Sequence, residues 1–314
     1  MADALFDELQ GRVGRPLDSR GVVRAPDPVN AAMIRHWVDA LDDRNPAYDD
    51  GPEQVAPPAM LQTWTMGRPT IAGIRERGGA PGEIDRDSPL PILADAGYTG
   101  TLATNTVLRF DRYLRLGDVV SSDAVLASVS EQKHTGLGKG YFVTWSNRYT
   151  DAVGETVGTQ DFTVFKFAPG PPPEQIGPRS PRPVAAEPEG EELPPFDLEV
   201  TATVIVAGAL ATRDFMPVHH DRDYAQAQGA PDVFMNILTS NGYVSRYVTD
   251  WAGADVRLMQ ITTRLGGPAV PGTHLRFRGR ARAADAQGRV EVALRADNDL
   301  GNHLTATVLL QQPR

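Results

Sequence analysis

Between residues 211 and 225 the chain reads A-T-R-D-F-M-P-V-H-H-D-R-D-Y-A, which places Asp214 and His219 five positions apart. These are the two side-chain types that moving a proton to or from water requires. A carboxylate accepts a proton, and an imidazole with an ordinary pKa near ~6.5 gives or takes one around neutrality. Pro217 lies between them and favours a bent path over a helical one, which aims both groups at one small volume. Water held there becomes a usable nucleophile. Asp–His pairs are also common on solvated loops, so residue type alone leaves both readings open. His220 alternates with His219 and is expected to face away from it. His219, His220, Asp221 and Asp223 are bunched too tightly for a tetrahedral centre, so no metal is expected.

The elements that must position this pair fall into two halves. Residues 168–195 are dense in proline and poor in apolar side chains, the composition of an extended, semi-stiff connector. They separate a first domain, 1–167, from a second, 196–314. In the second domain the β-branched run 198–207 reads as a strand. Phe234, Ile237, Leu238, Val244 and Val248 recur at helical spacing over 231–249, with Pro231 placed to start the helix. Strand-like runs follow at 256–265, 272–283, 289–297 and 303–312, with turns at D-A-Q-G (285–288) and N-D-L-G-N (298–302).

The first domain repeats the order. A helix-like segment at 28–41 leads to Asp43 and Tyr48, and a second apolar segment covers 57–67. Strand-like runs fall near 102–113, 118–130, 141–150 and 156–167. R-L-G-D-V-V (115–120) answers V-P-G-T-H-L (270–275), a two-copy internal repeat. A helix followed by several antiparallel strands predicts an α+β unit with its sheet wrapped around a central helix. Two such units side by side would share one larger sheet. G-L-G-K-G (136–140) lacks phosphate-loop spacing and reads as a hairpin turn.

Composition narrows the function classes. The net charge of −9 opposes a general nucleic-acid or anionic-membrane surface. No apolar run approaches the ~20 residues that cross a bilayer, and the acidic N-terminus M-A-D-A-L-F-D-E is not that of a secretory signal. Cysteine is absent, which excludes disulfides and thiolate chemistry and fits a cytoplasmic protein.

Asp214, Pro217 and His219 resemble the D-x-N-P-x-H motif of the MaoC-like, or R-specific, enoyl-CoA hydratases, with Met216 at the motif's Asn position. Around them A-L-A-T-R-D-F, F-M-N-I-L-T, R-Y-V-T-D-W-A-G and H-L-T-A-T-V resemble the small subunit of the actinobacterial steroid side-chain enoyl-CoA hydratase. In the first domain, P-V-N-A-A-M-I-R-H-W-V-D-A, D-R-N-P-A-Y and V-A-P-P-A-M-L-Q-T-W-T-M resemble a domain of that enzyme's large subunit. The chain thus resembles a fusion of the two subunits, without the large subunit's extra C-terminal module.

The resemblance implies two tandem hotdog domains and addition of water across the double bond of a bulky 2-enoyl-CoA, a steroid side-chain ester. Coenzyme A enters as part of the substrate, and no separate cofactor is implied. Asp214 and His219 take the catalytic roles. Asn236, at the start of the central helix, would stabilise the thioester oxyanion. Asp43 and Tyr48 mark a degenerate site, because a phenol with an ordinary pKa near ~10 is a poor proton shuttle. Trp64, Met66, Asn241 and Gly242 would line the acyl pocket, although tryptophan and methionine at such positions are more often core and Gly242 could serve a neighbouring helix. A homodimer is expected, with an aldolase or the missing module as a partner by analogy. Two rival functions are dehydration of a (3R)-hydroxyacyl-CoA or carrier-protein thioester, and a non-catalytic scaffold that binds acyl thioesters.

Overall fold

The computed structural model describes residues 4–51, 53–80, 82, 84–169 and 189–313. In the first half, helix α1 (Ala4–Gln10) and strand β1 (Val23–Arg24) precede helix α2 (Ala31–Leu41). Helix α3 (Pro89–Asp95) then leads into strands β2 (Gly100–Phe110), β3 (Ser121–Val129), β4 (Lys133–Thr135), β5 (Gly138–Thr150) and β6 (Thr156–Phe167). In the second half, strands β7 (Glu191–Glu192) and β8 (Phe196–Val200) are followed by helices α4 (Ala202–Ala211), α5 (Arg222–Ala227) and α6 (Ile237–Ala252). Strands β9 (Arg257–Leu265), β10 (Thr273–Ala281), β11 (Arg289–Asn298) and β12 (Gly301–Gln311) complete the chain.

The strands form one antiparallel sheet in the order β1-β3-β5-β6-β2-β9-β12-β11-β10-β7, with β4 added at β5 and β8 at β10. Each half contributes the same four-strand order outward from the middle. They meet where β2 pairs with β9, from Asn105 opposite Arg264 to Arg109 opposite Gln260. This is the shared sheet the repeat predicts and the double hotdog the resemblance implies. Strict alternation makes the strands legible: β10 reads T-H-L-R-F-R-G-R-A, and its Leu275 and Phe277 face inward, fully buried, while the intervening polar residues stay outside.

The halves differ at their centres. In the second, α6 runs sixteen residues without a proline and is buried over most of its length. In the first, the corresponding apolar segment forms two short 3-10 turns, Pro58–Met60 and Gln62–Thr65. Pro57 and Pro58 open it and Gly67 and Pro69 close it, so no helix of the length of α6 fits between them. The long central helix is therefore confined to the second half among the described residues.

Three further boundaries move. The run 198–207 is strand only to Val200; the Thr201 side chain then accepts from the Val204 N–H and starts α4, so an apolar β-branched run becomes helix. Residues 231–236 are not helical, because the Phe234 and Met235 N–H groups are committed to the carbonyls of Val218 and Ala269. Asn236, not Pro231, begins α6 by accepting from the Thr239 N–H at 2.8 Å. The connector expected at 168–195 lies for residues 170–188 outside the described residues, while Glu191 and Glu192 already pair with β10 and Leu193 is buried. No helix among the described residues is long and apolar enough to cross a membrane.

Candidate active site

At the end of α4 the Thr212 hydroxyl turns back to the Gly208 carbonyl, 2.8 Å away. Arg213 then adopts a left-handed conformation (φ 57°), and the Asp214 N–H returns to the Ala209 carbonyl at 2.9 Å. This closure is the usual way to end a helix, and here it reverses the chain so that Asp214 is the first side chain past the turn. Pro217 then opens a 3-10 turn, Pro217–His219, that brings His219 back over Asp214. The first half repeats the device: Asp42 is left-handed (φ 49°), the Asp43 N–H returns to the Val38 carbonyl at 2.9 Å, and a 3-10 turn over Pro46–Tyr48 follows.

His219 Nε2 lies 3.3 Å from Asp214 Oδ2, with side-chain exposures of only 5% and 12%. The other ring nitrogen, Nδ1, is 2.7 Å from the Phe234 carbonyl. A carbonyl only accepts, so Nδ1 carries a proton and Nε2 is the nitrogen left for chemistry. The Phe234 ring stands edge-on to the imidazole at 5.1 Å and holds its plane. Asp214 Oδ2 also accepts from Asn236 Nδ2 at 3.0 Å, and Oδ1 accepts from the Met216 N–H at 3.3 Å.

The electrostatics follow from this geometry. Burial alone would raise Asp214, but the adjacent His219 charge and the hydrogen bonds from His219, Met216 and Asn236 outweigh it and hold the carboxyl below its ordinary range. Burial alone would lower His219, but Asp214 and the Phe234 carbonyl outweigh it and raise the imidazole. Both shifts favour the charged forms, carboxylate and imidazolium.

Asn236 has its side chain fully committed. Nδ2 donates to Asp214 and to Thr212 Oγ1 (2.8 Å), while Oδ1 caps α6. Its side chain therefore serves Asp214 and the cap of α6. His220 is exposed, with Nε2 3.2 Å from the Phe215 carbonyl. A cleft of about 170 Å³ opens beside Asp214, walled by Val206, Leu210 and Phe215 and by Ile71 and Ile74 from the first half.

None of the residues predicted for the acyl pocket lines this cleft. Gly242 meets α2: a Cβ there would lie 2.2 Å from Leu41 Cδ2 and 2.9 Å from Trp37 Cζ2, so the glycine serves helix packing. Trp64 Nε1 and Asn241 Oδ1 are buried without a hydrogen-bond partner among the described residues, and Met66 is half-buried. In the degenerate site burial raises both Asp43 and Tyr48, the latter beside Ser245. Tyr48 therefore keeps its proton. Arg246 of α6 donates to the Leu41 carbonyl at 2.6 Å and pairs with Asp42 at 3.7 Å, so α6 covers this end of α2.

Sequence reading missed Phe234, Thr212, Ile71 and Ile74. Phe234 acts through its carbonyl, which no residue type signals, and the isoleucines reach the site from more than a hundred residues away. It also missed a buried relay in which His303 Nδ1 donates to the Gly267 carbonyl (2.9 Å) and Nε2 meets Ser240 Oγ (3.1 Å) at the start of α6.

Residues 21–160 match the family described as FAS1-like, dehydratase domain region. The chain is 49% identical over 121 residues to the 3-oxo-4,17-pregnadiene-20-carboxyl-CoA hydratase beta subunit of Mycobacterium tuberculosis, covering 38% of this chain and 93% of that protein. It is 40% identical over 169 residues to the probable enoyl-CoA hydratase alpha subunit of Thermomonospora curvata, covering 51% of each. The chain thus spans about half the length of that alpha subunit. Among solved structures, a MaoC-like dehydratase superposes with a TM-score of 0.71 at 20% identity, over 97% of this chain and 100% of the other, a likeness of fold.

Proposed function

The chain belongs to the MaoC-like enoyl-CoA hydratase family, and on that footing we propose that it is a hydro-lyase adding water across the 2,3 double bond of an enoyl-CoA. The observation that carries the reading is the buried contact of 3.3 Å between His219 and Asp214, which also lines a cleft. Attack at C3 needs a base for the water, and closure at C2 needs an acid. The resting pair supplies both. Asp214 accepts one proton of the water as its oxygen bonds to C3, and the imidazolium gives its Nε2 proton to C2. Transfer of the captured proton from Asp214 to His219 across their contact restores the pair. The hydroxyl reaches C3 and the proton reaches C2 from the same side, so addition is syn. Charge developing on the thioester oxygen meets the first-turn N–H groups of α6 and the positive end of its dipole.

We assign the acyl group to the steroid side-chain class, supported by the beta-subunit relative named for such a substrate. Matches to both an alpha and a beta subunit support a single polypeptide that joins the roles of two subunits, with one working site in the second half. The dehydratase-region match favours one second reading, elimination of water from a 3-hydroxyacyl thioester by the same residues. Hydration of a steroid 2-enoyl-CoA, wild type beside His219→Ala, tests the proposal: turnover lost by about 10²-fold or more on substitution is expected. Equal turnover by the variant would refute the assignment. Turnover confined to short acyl-carrier thioesters would remove the steroid class.

A further inference from the structure

The cleft beside Asp214 has walls from two origins. Val206, Leu210 and Phe215 belong to the half that carries the dyad, but Ile71 and Ile74 arrive on a loop of the other half. Ile71 is 60% exposed, an unusual position for a large aliphatic side chain, and Ile74 is buried. Between them Gly73 has a positive φ of 71°, and beyond Ile74 Gly78 (64°) and Gly79 (88°) do too, so the segment carrying Ile74 is bracketed by residues that turn freely. Its outer end rests on the catalytic loop. Arg75 Nη1 pairs with Asp221 Oδ2 at 2.6 Å, and its guanidinium lies 5.7 Å over the Tyr224 ring. Gly79 sits so close to Met216 and Pro217 that a Cβ would come within 2.8 Å and 3.1 Å of them.

In this arrangement the cleft measures about 170 Å³. That resembles the cavities of about 150 Å³ that accept a benzene ring, and falls short of the roughly 300–1,000 Å³ of sites for drug-sized ligands. A short acyl chain matches the cleft as it stands; a polycyclic one would call for the loop to move outward. The polar restraint on such movement is an exposed ion pair and one cation–π contact, both individually weak, beside the packing of Ile74 and of Gly79.

We propose that residues 71–79 form a movable wall of the acyl subsite, in which Ile71 and Ile74 touch the acyl group and Arg75 latches the wall to Asp221 and Tyr224. The first half then contributes directly to the second half's site, by reading the size of the acyl group and admitting bulky ones when the latch opens. This rests on the acyl-thioester reading above and extends it to specificity.

The test compares crotonyl-CoA with a polycyclic 2-enoyl-CoA, using wild type, Arg75→Ala and Ile71→Trp, each checked for folding by thermal unfolding. Arg75→Ala is expected to raise the ratio of kcat/KM for the polycyclic over the short substrate, by up to about fivefold, the equivalent of an exposed ion pair. Ile71→Trp, which adds bulk at an exposed position, should lower that ratio about tenfold or more. Calorimetric binding of butyryl-CoA and a saturated polycyclic acyl-CoA should follow the same order without any turnover. Folded variants whose size preference in both assays equals that of wild type would overturn the movable wall. Absence of hydration with every thioester, alongside variant-dependent binding, would instead refute the hydratase reading and leave the wall standing.

Discussion

Replacing Asn236 separates two duties that meet in one side chain. Its Oδ1 caps α6 through the Thr239 N–H, and its Nδ2 holds the Asp214 oxygen that faces His219. Asn236→Ala removes both. Loss of the cap costs about 1 kcal/mol of stability. Loss of a hydrogen bond to a charged carboxylate costs about 1.5–3 kcal/mol, so kcat/KM should fall roughly 10- to 150-fold if that bond orients the base. Asn236→Asp keeps an oxygen for the cap but sets a second carboxylate where Nδ2 stood, 3.0 Å from Asp214 Oδ2. Two such charges about 4 Å apart repel by about 4 kcal/mol at an effective dielectric of about 20, which moves ionisation of the pair upward. Enoyl-CoA hydration is followed from pH 4 to 9 for all three proteins, with thermal unfolding in parallel. Asn236→Asp should move the acid limb toward neutrality and melt below wild type near pH 7, recovering as the pH falls and the second carboxyl protonates. An unmoved acid limb, or an Asn236→Ala protein less stable but equally active, would refute the positioning role and reduce Asn236 to a helix cap.

The wild-type profile follows from the resting ion pair. Asp214 titrates below its ordinary 3.8 and His219 above its ordinary 6.5, so activity should span the window between, falling on the acid side as Asp214 protonates and on the alkaline side as His219 loses its proton. A kcat/KM profile that peaks only well above the His219 limb would contradict that pairing. Burial lowers His303 to about 4, with its Gly267 hydrogen bond opposing. The unfolded chain therefore binds a proton between pH 6.5 and about 4 that the folded chain refuses, and stability drops by about 3 kcal/mol on acidification through that window. Chemical denaturation across this range reads the slope, and His303→Gln should flatten it. Gly242→Ala drives a methyl into Leu41 and Trp37 and should cost about 1–3 kcal/mol, seen as a melting point lower by a few degrees.

Much of this molecule is written locally. The alternation of β10 declares its buried face, the turn residues at 285–288 and 298–302 fall between strands, and Pro217 between Asp214 and His219 announces a bend. Pattern failed where a run satisfies two periods at once. Residues 202–207 are β-branched and apolar, and only the Thr201 cap and the packing of α4 decide that they coil. The repeat itself was legible, yet the same slot holds a sixteen-residue helix in one half and two short turns in the other.

What the amino-acid order determined was therefore the repeat, the strands and the presence of one complete acid–base pair, because each depends on neighbours within a few residues. The tertiary structure alone decided which imidazole nitrogen faces Asp214, since the Phe234 carbonyl holds the other from fifteen positions away. It alone brought Asn236 to Asp214 and set a loop of the first half over the second half's cleft. Such contacts arise when β2 pairs with β9 and α6 packs between the halves, and packing across long stretches of chain leaves no periodic trace in the residues that make it.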